Sequence, residues 1–145
     1  SYINKGIKMK IELHHINLSS DKVNEMNNFY LKVMNLKTET KGLPVLEKNK
    51  GYSGDVAFVT DGKIQTHLSE RDLDVGFKTG HIVNPLDKGH IAYRTDDLEA
   101  FKKHLEVLGI NYSDWGETAV AGWKQIFFYD PDGNVIEVHQ VDENN

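Results

Sequence analysis

The hydrophobic pattern of the chain switches between two periods, and it does so twice. Ile11, Leu13, His15 and Asn17 alternate with Glu12, His14, Ile16 and Leu18, which reads as a strand. Val23, Met26, Phe29, Tyr30 and Val33 then fall at helical spacing and predict a helix with these residues on its core face, capped by Ser20 or Asp21. A short strand is expected over 36–39 and a turn-rich loop over 41–54. Strands over 55–60 and 63–69 flank the hairpin signal "TDG". Residues 70–89 show no period and read as a connection with at most a local turn.

The pattern restarts at "HIAYRT", a strand beginning at His90. Asp96 or Asp97 is placed to cap a helix with Leu98, Phe101, Leu105 and Leu108 on one face, and Gly109 is its stop. Strands follow over 112–115, 124–129 and 134–140. The last two are joined by "DPDG", where Asp130 and Asp132 are turn formers. The tail from 142 reads as frayed. "HINLSSDKVNEM" and "HIAYRTDDLEAF" align without gaps, both begin His-Ile, and each half reads strand, helix, three strands. The class is therefore α+β, with βαβββ modules over 10–70 and 90–141 and a connecting loop over 71–89.

The repeat chooses between the adjacent histidines. Neighbouring strand side chains point to opposite faces, so one of the pair at most is expected to serve a given site. His15, not His14, matches His90. The return strand of each half also carries a potential ligand, His67 in "IQTHLSE" and Glu137 in "NVIEVHQ", matched when one turn residue is gapped. Three imidazoles and a carboxylate suit one divalent ion: Zn, Ni, Mn, Co or Fe. Glu137 stands among Val135, Ile136 and Val138, where an unpaired carboxylate is costly to bury, so a cation is the economical partner.

His139 shares the face of Glu137 by parity. It joins Trp115, Trp123 and Tyr129 as a candidate for the substrate pocket. "WGETAVAGW" reads as a loop over the site. His14, His81 and His104 read as surface or packing residues.

Composition narrows the classes. The 145 residues suit one compact domain, and 39% are apolar, enough for a core. A net charge of −5 argues against a general nucleic-acid footprint. There is no cysteine, hence no disulfide, thiolate ligand or Cys nucleophile. No apolar run approaches the roughly 20 residues of a membrane helix. The first ten residues lack a secretory apolar stretch, and Ser1 in place of Met points to a trimmed start. A cytoplasmic location is the default expectation. Phosphate-cradling glycine motifs and nucleophile elbows are absent.

The stretches "NNFYLKVMNLK", "IQTHLSE", "GHIAYRTDDLEAFKKHLEVLGI" and "DPDGNVIEV" resemble the vicinal oxygen chelate superfamily, which includes glyoxalase I, extradiol dioxygenases, methylmalonyl-CoA epimerase and the bleomycin-resistance proteins. The resemblance implies two βαβββ modules whose mixed, strongly curved sheets enclose a metal. Carried over by position, the ligands are His15, His67, His90 and Glu137. Glyoxalase I enzymes commonly place a glutamate where this chain has His67, which weakens a specific claim of glutathione-dependent chemistry. The implied function is a divalent-metal-dependent, glyoxalase-like lyase or isomerase acting on a small oxygenated substrate, with Glu137 moving a proton. The alternatives are an extradiol-type dioxygenase using Fe(II) or Mn(II) through His15, His90 and Glu137, and a non-catalytic drug- or ligand-binding resistance protein. A homodimer is also implied.

Overall fold

Two strands, β1 (Ile11–Ser20) and β5 (Gly89–Thr95), run antiparallel through the centre of the molecule and join its halves. This computed structural model describes residues 9–46, 51–131 and 133–142. Part of the predicted 41–54 loop, Asp132 of the "DPDG" turn and the end of the tail lie outside the described residues. The first half continues with α1 (Val23–Lys32), β2 (Lys37–Thr38), β3 (Val56–Thr60) and β4 (Gln65–Glu70). A short α2 (Val75–Thr79) occupies the connection. The second half adds α3 (Leu98–Val107), β6 (Ser113–Gly116), β7 (Trp123–Tyr129) and β8 (Val135–Val141).

The strands form one open, curved, mixed sheet of order β2-β3-β4-β1-β5-β8-β7-β6. β4 lies parallel to β1 and β8 parallel to β5, whereas all other neighbours are antiparallel. The two halves are thus the same ladder laid edge to edge, as the sequence repeat predicts. Gly89 permits the seam. Its φ is +133°, and a Cβ there would collide with the Asn17 carbonyl of β1.

Leu98, Phe101 and Leu105 of α3 pack on Ile126 and Val138. Asp97 Oδ1 accepts a hydrogen bond from Ala100 N at 3.0 Å, and Gly109 takes φ +71° just past the helix. α1 departs from expectation. Lys22 is its N-cap and offers no side-chain cap, while Ser20 Oγ accepts from Lys22 N and Asp21 pairs with Arg71. Of its predicted core face only Val23 is buried, and Phe29 and Val33 stay exposed. α1 lies over β3, β4 and β1, and that packing leaves Phe29 and Val33 in water.

The connection does more than span. Val75, Val83 and Leu86 join Tyr52, Trp115 and Phe127 in a second apolar cluster. No helix among the described residues is long and apolar enough to cross a membrane.

Candidate metal centre

The buried rows of the central strands are polar, which is unusual for an interior. β1 buries His15, Asn17 and Ser19, β4 buries Gln65, His67 and Ser69, and β8 buries Glu137 and His139. Buried polar groups of this kind need partners, and here they partner one another around one centre.

His15, His90 and Glu137 offer ligand atoms that all lie within 4.8 Å of one another. Glu137 Oε1 is 3.0 Å from His90 Nε2 and 3.9 Å from His15 Nε2. Strand register explains the convergence. Glu137 pairs with Ala92, two residues beyond His90, and the side chains of a strand repeat with period two. In the first half His67 pairs with Asn17, two residues beyond His15. His67 therefore occupies the position that repeats Glu137, in line with the match made from sequence.

The second nitrogen of His90 fixes that ring's tautomer. His90 Nδ1 is 2.8 Å from the Pro85 carbonyl, which can only accept, so Nδ1 carries the hydrogen. The neutral ring then turns the lone pair of Nε2 toward the Glu137 oxygen. Two electron-rich atoms at 3.0 Å call for a positive charge between or on them. A divalent ion meets that need, and two imidazoles with one carboxylate are a donor set that such ions accept.

His67 belongs to the same cavity but not to that trio. Its ring stacks on His15 with centroids 3.8 Å apart. Gln65 Nε2 donates to the Lys41 carbonyl, so Gln65 Oε1 faces His67 Nε2 at 2.7 Å and accepts its hydrogen. His67 Nε2 is therefore engaged, and only Nδ1 of that ring remains for other duty. Burial pushes the ring down to about 3, so it is neutral.

His14 is the residue that sequence reading missed. A register shift between Leu13 and His15 breaks the alternation, and His14 Nδ1 comes 2.8 Å from His15 Nδ1. Burial and the Arg94 charge lower its pKa to about 4. Both adjacent histidines thus turn their rings to the same side, contrary to the strict alternation expected of a strand. Burial likewise holds His15 well below its ordinary value, against the opposing pull of Glu137. For Glu137 burial alone would favour the neutral form, yet the carboxyl is held well below its ordinary value, and the His139 ring 2.6 Å from Oε2 is among the neighbours that lower it.

The cavity over the trio holds about 70 Å³ and is walled largely by apolar side chains, among them Tyr52, Phe58, Leu86 and Phe127. Trp115 and Trp123 line it. His139 sits behind Glu137 rather than in the wall, with its Nδ1 2.6 Å from Oε2. Tyr129 is half exposed and lines a separate outer groove with Ile16 and Ile91. Residues 115–123 do lie over the site. Ala119 and Val120 line the cavity, Leu46 bridges to Val120, and Ala121 N donates to the Val45 carbonyl at 3.1 Å. His81 stacks on Trp115 at 4.3 Å. Two buried polar atoms of the lining residues lack partners among the described residues: Trp115 Nε1 and Gln125 Oε1.

Comparison with known proteins bears on the family. A model of the Glyoxalase/Bleomycin resistance protein/Dioxygenase superfamily matches residues 12–138. A curated Arabidopsis thaliana protein named Glyoxylase I 4 is 28% identical over 131 residues, covering 90% of this chain and 71% of the relative. Among solved structures, methylmalonyl-CoA epimerase from Mycobacterium tuberculosis superposes with a TM-score of 0.67 at 15% identity, covering 92% of this chain and 89% of that one. The hypothetical protein BH1468 from Bacillus halodurans C-125 gives 0.66 at 18% identity, covering 92% and 96%.

Proposed function

The chain belongs to the Glyoxalase/Bleomycin resistance protein/Dioxygenase superfamily, and on that footing we propose that it is a divalent-metal-dependent, glyoxalase-like lyase or isomerase acting on a small oxygenated molecule. The observation that carries the reading is the pair His90 Nε2 and Glu137 Oε1, two electron donors held 3.0 Å apart in a buried cavity beside His15. An ion held there would supply Lewis acidity toward a substrate oxygen. His15 and His90 hold their Nε2 atoms toward that point, and the Pro85 carbonyl keeps His90 in the required tautomer. Glu137 Oε1, the oxygen not engaged by His139, is the atom placed to take or return a proton. His67, fixed by Gln65, is a fourth ligand through Nδ1 or a wall against substrate.

The cavity bounds the substrate. At roughly 10–15 Å³ per water-sized site, about 70 Å³ admits a reacting portion of roughly half a dozen non-hydrogen atoms. The walls suit an apolar body, while Trp115 Nε1 and the Gln125 carboxamide offer it a donor and an acceptor. A homodimer is part of the proposal: Phe29 and Val33, one helical turn apart, leave an exposed apolar strip for a second copy to cover. Sedimentation at micromolar concentration tests this, and a monomer contradicts it.

A second reading has its own support. Two histidines and one carboxylate, with His67 turned to Gln65, are the donor set of Fe(II) enzymes that cleave catechols with dioxygen. The deciding experiment incubates protein loaded with Zn²⁺, Co²⁺ or Fe²⁺ with small 2-hydroxy carbonyl compounds in D₂O. Deuterium uptake next to the carbonyl, lost in Glu137→Gln, is expected. Oxygen consumption with catechol and no exchange would replace the lyase reading by the second one.

A further inference from the structure

We propose that Arg94 and His139 are positioning residues that hold Glu137 as a one-oxygen ligand; this rests on the metal reading above. Arg94 Nε donates to His139 Nε2 at 2.9 Å. A guanidinium has no acceptor and stays protonated, so Nε2 must carry the lone pair. The hydrogen of the neutral ring is then on Nδ1, which points at Glu137 Oε2 from 2.6 Å. Arg94 thereby fixes the tautomer of His139, and His139 occupies one oxygen of the carboxylate. Oε1 is left facing His90 and His15.

The arrangement is clamped. His139 is fully buried, and Trp123 stacks on its ring at 4.4 Å with planes 20° apart. The Arg94 guanidinium carbon sits 5.0 Å above the same indole. Two side chains, from β5 and β7, therefore fix one ring on β8, and the ring fixes one carboxylate oxygen.

The repeat supplies an internal control. Arg94 pairs with His139 across β5 and β8, and the matching pair across β1 and β4 is Ser19 with Ser69. Those hydroxyls lie 3.4 Å apart, with Ser69 Oγ donating to Asn17 Oδ1. The half that carries the carboxylate has an arginine–histidine chain behind it, while the half that carries His67 has two serines. The chain thus accompanies the carboxylate and is missing behind its repeat counterpart, His67.

The chemistry gives the chain a use. Protein partners of a ligand typically change metal affinity roughly 10–100-fold. A carboxylate with both oxygens free can bind through two atoms, and a donor on Oε2 favours Oε1 as the oxygen that faces both the ion and the proton it moves.

The test measures Co²⁺ affinity by competition with a chromophoric chelator, together with the visible spectrum of the bound ion. His139→Phe, which keeps a ring against Trp123 but removes the donor, is expected to weaken binding by roughly 10–100-fold and to alter the spectrum. Arg94→Met is expected to weaken it less, and to cost nothing further in the His139→Phe background, because Arg94 acts through that ring. His139→Asn, which returns an N–H near the lost position, is expected to recover most of the affinity. Wild-type affinity and spectrum in folded His139→Phe, or losses that add in the double variant, overturn the proposal. Where His139→Phe does not fold, Arg94→Met decides: unchanged Co²⁺ affinity overturns the proposal. A wild-type chain that takes up no Co²⁺ removes the metal reading beneath it, a result distinct from the others.

Discussion

His90 Nε2 and Glu137 Oε1 face each other across 3.0 Å, while the far side of the same imidazole is bound to the Pro85 carbonyl at 2.8 Å. The carbonyl accepts and the carboxylate accepts, so a neutral His90 satisfies only one of them. The remaining pair calls for a metal ion between the two atoms or a second proton on His90. The fold thus carries an electrostatic debt at this point, and the predictions below follow from how it is settled.

Metal binding should be coupled to stability. An ion that binds only the folded chain adds about 2.7 kcal/mol when free metal is 100 times its dissociation constant. Chelator-treated protein should melt several degrees lower than metal-loaded protein, and His90→Ala should lose that difference. Calorimetric scans with and without Zn²⁺ check it.

Acid should destabilise the metal-free chain in a defined window. His67 and His14 are held at about 3 and about 4, against an ordinary 6.5. Below 6.5 the unfolded chain takes up protons that the folded chain refuses, so stability is full above that value and falls as pH drops toward those folded values. Glu137, also depressed, has the same sign at lower pH. Melting temperature should fall between pH 7 and pH 4.5, and a flat or rising profile contradicts the burial argument.

Gln125→Met should separate stability from ligand binding. The Oε1 atom is buried without a partner, and an unmet buried acceptor costs about 1–3 kcal/mol. A thioether of similar length relieves that cost. The variant should be as stable as the wild type or more so, while KM for the true substrate rises. A destabilised variant with unchanged KM would show that Gln125 serves the fold alone.

Gly89→Ala should break the seam between the halves. The new methyl meets the Asn17 carbonyl, and φ +133° is strained for any L side chain. Strain of this kind costs about 1–3 kcal/mol before the clash is counted. Denaturant melts should show at least that loss, and metal affinity should fall with it because His90 is the next residue.

Much of this was legible in the sequence for one reason: duplication. The offset between "HINLSS" and "HIAYRT" separates His15 from His14, and the return strands point to His67 and Glu137. Strand register bears out that correspondence, since His67 and Glu137 each pair two residues beyond the histidine of the neighbouring strand. What the sequence hides is local. A bulge at His14 follows from strand pairing across the seam, not from any residue pattern. The turning of His67 toward Gln65 depends on Lys41, in a loop without periodicity. Arg94 reads as an ordinary strand charge until its partner on another strand is known. α1 shows the reverse failure: its helical spacing is sound, but spacing cannot say how much sheet lies beneath to bury it.

The central claim is most directly tested by X-ray absorption on protein purified without added metal and then loaded with one equivalent of Zn²⁺. The account predicts one tightly held ion per chain, with two imidazole nitrogens and one carboxylate oxygen in its first coordination sphere, and loss of that signature in His15→Ala and His90→Ala. A chain that binds no ion, or one whose ion keeps the same neighbours in both variants, would contradict it.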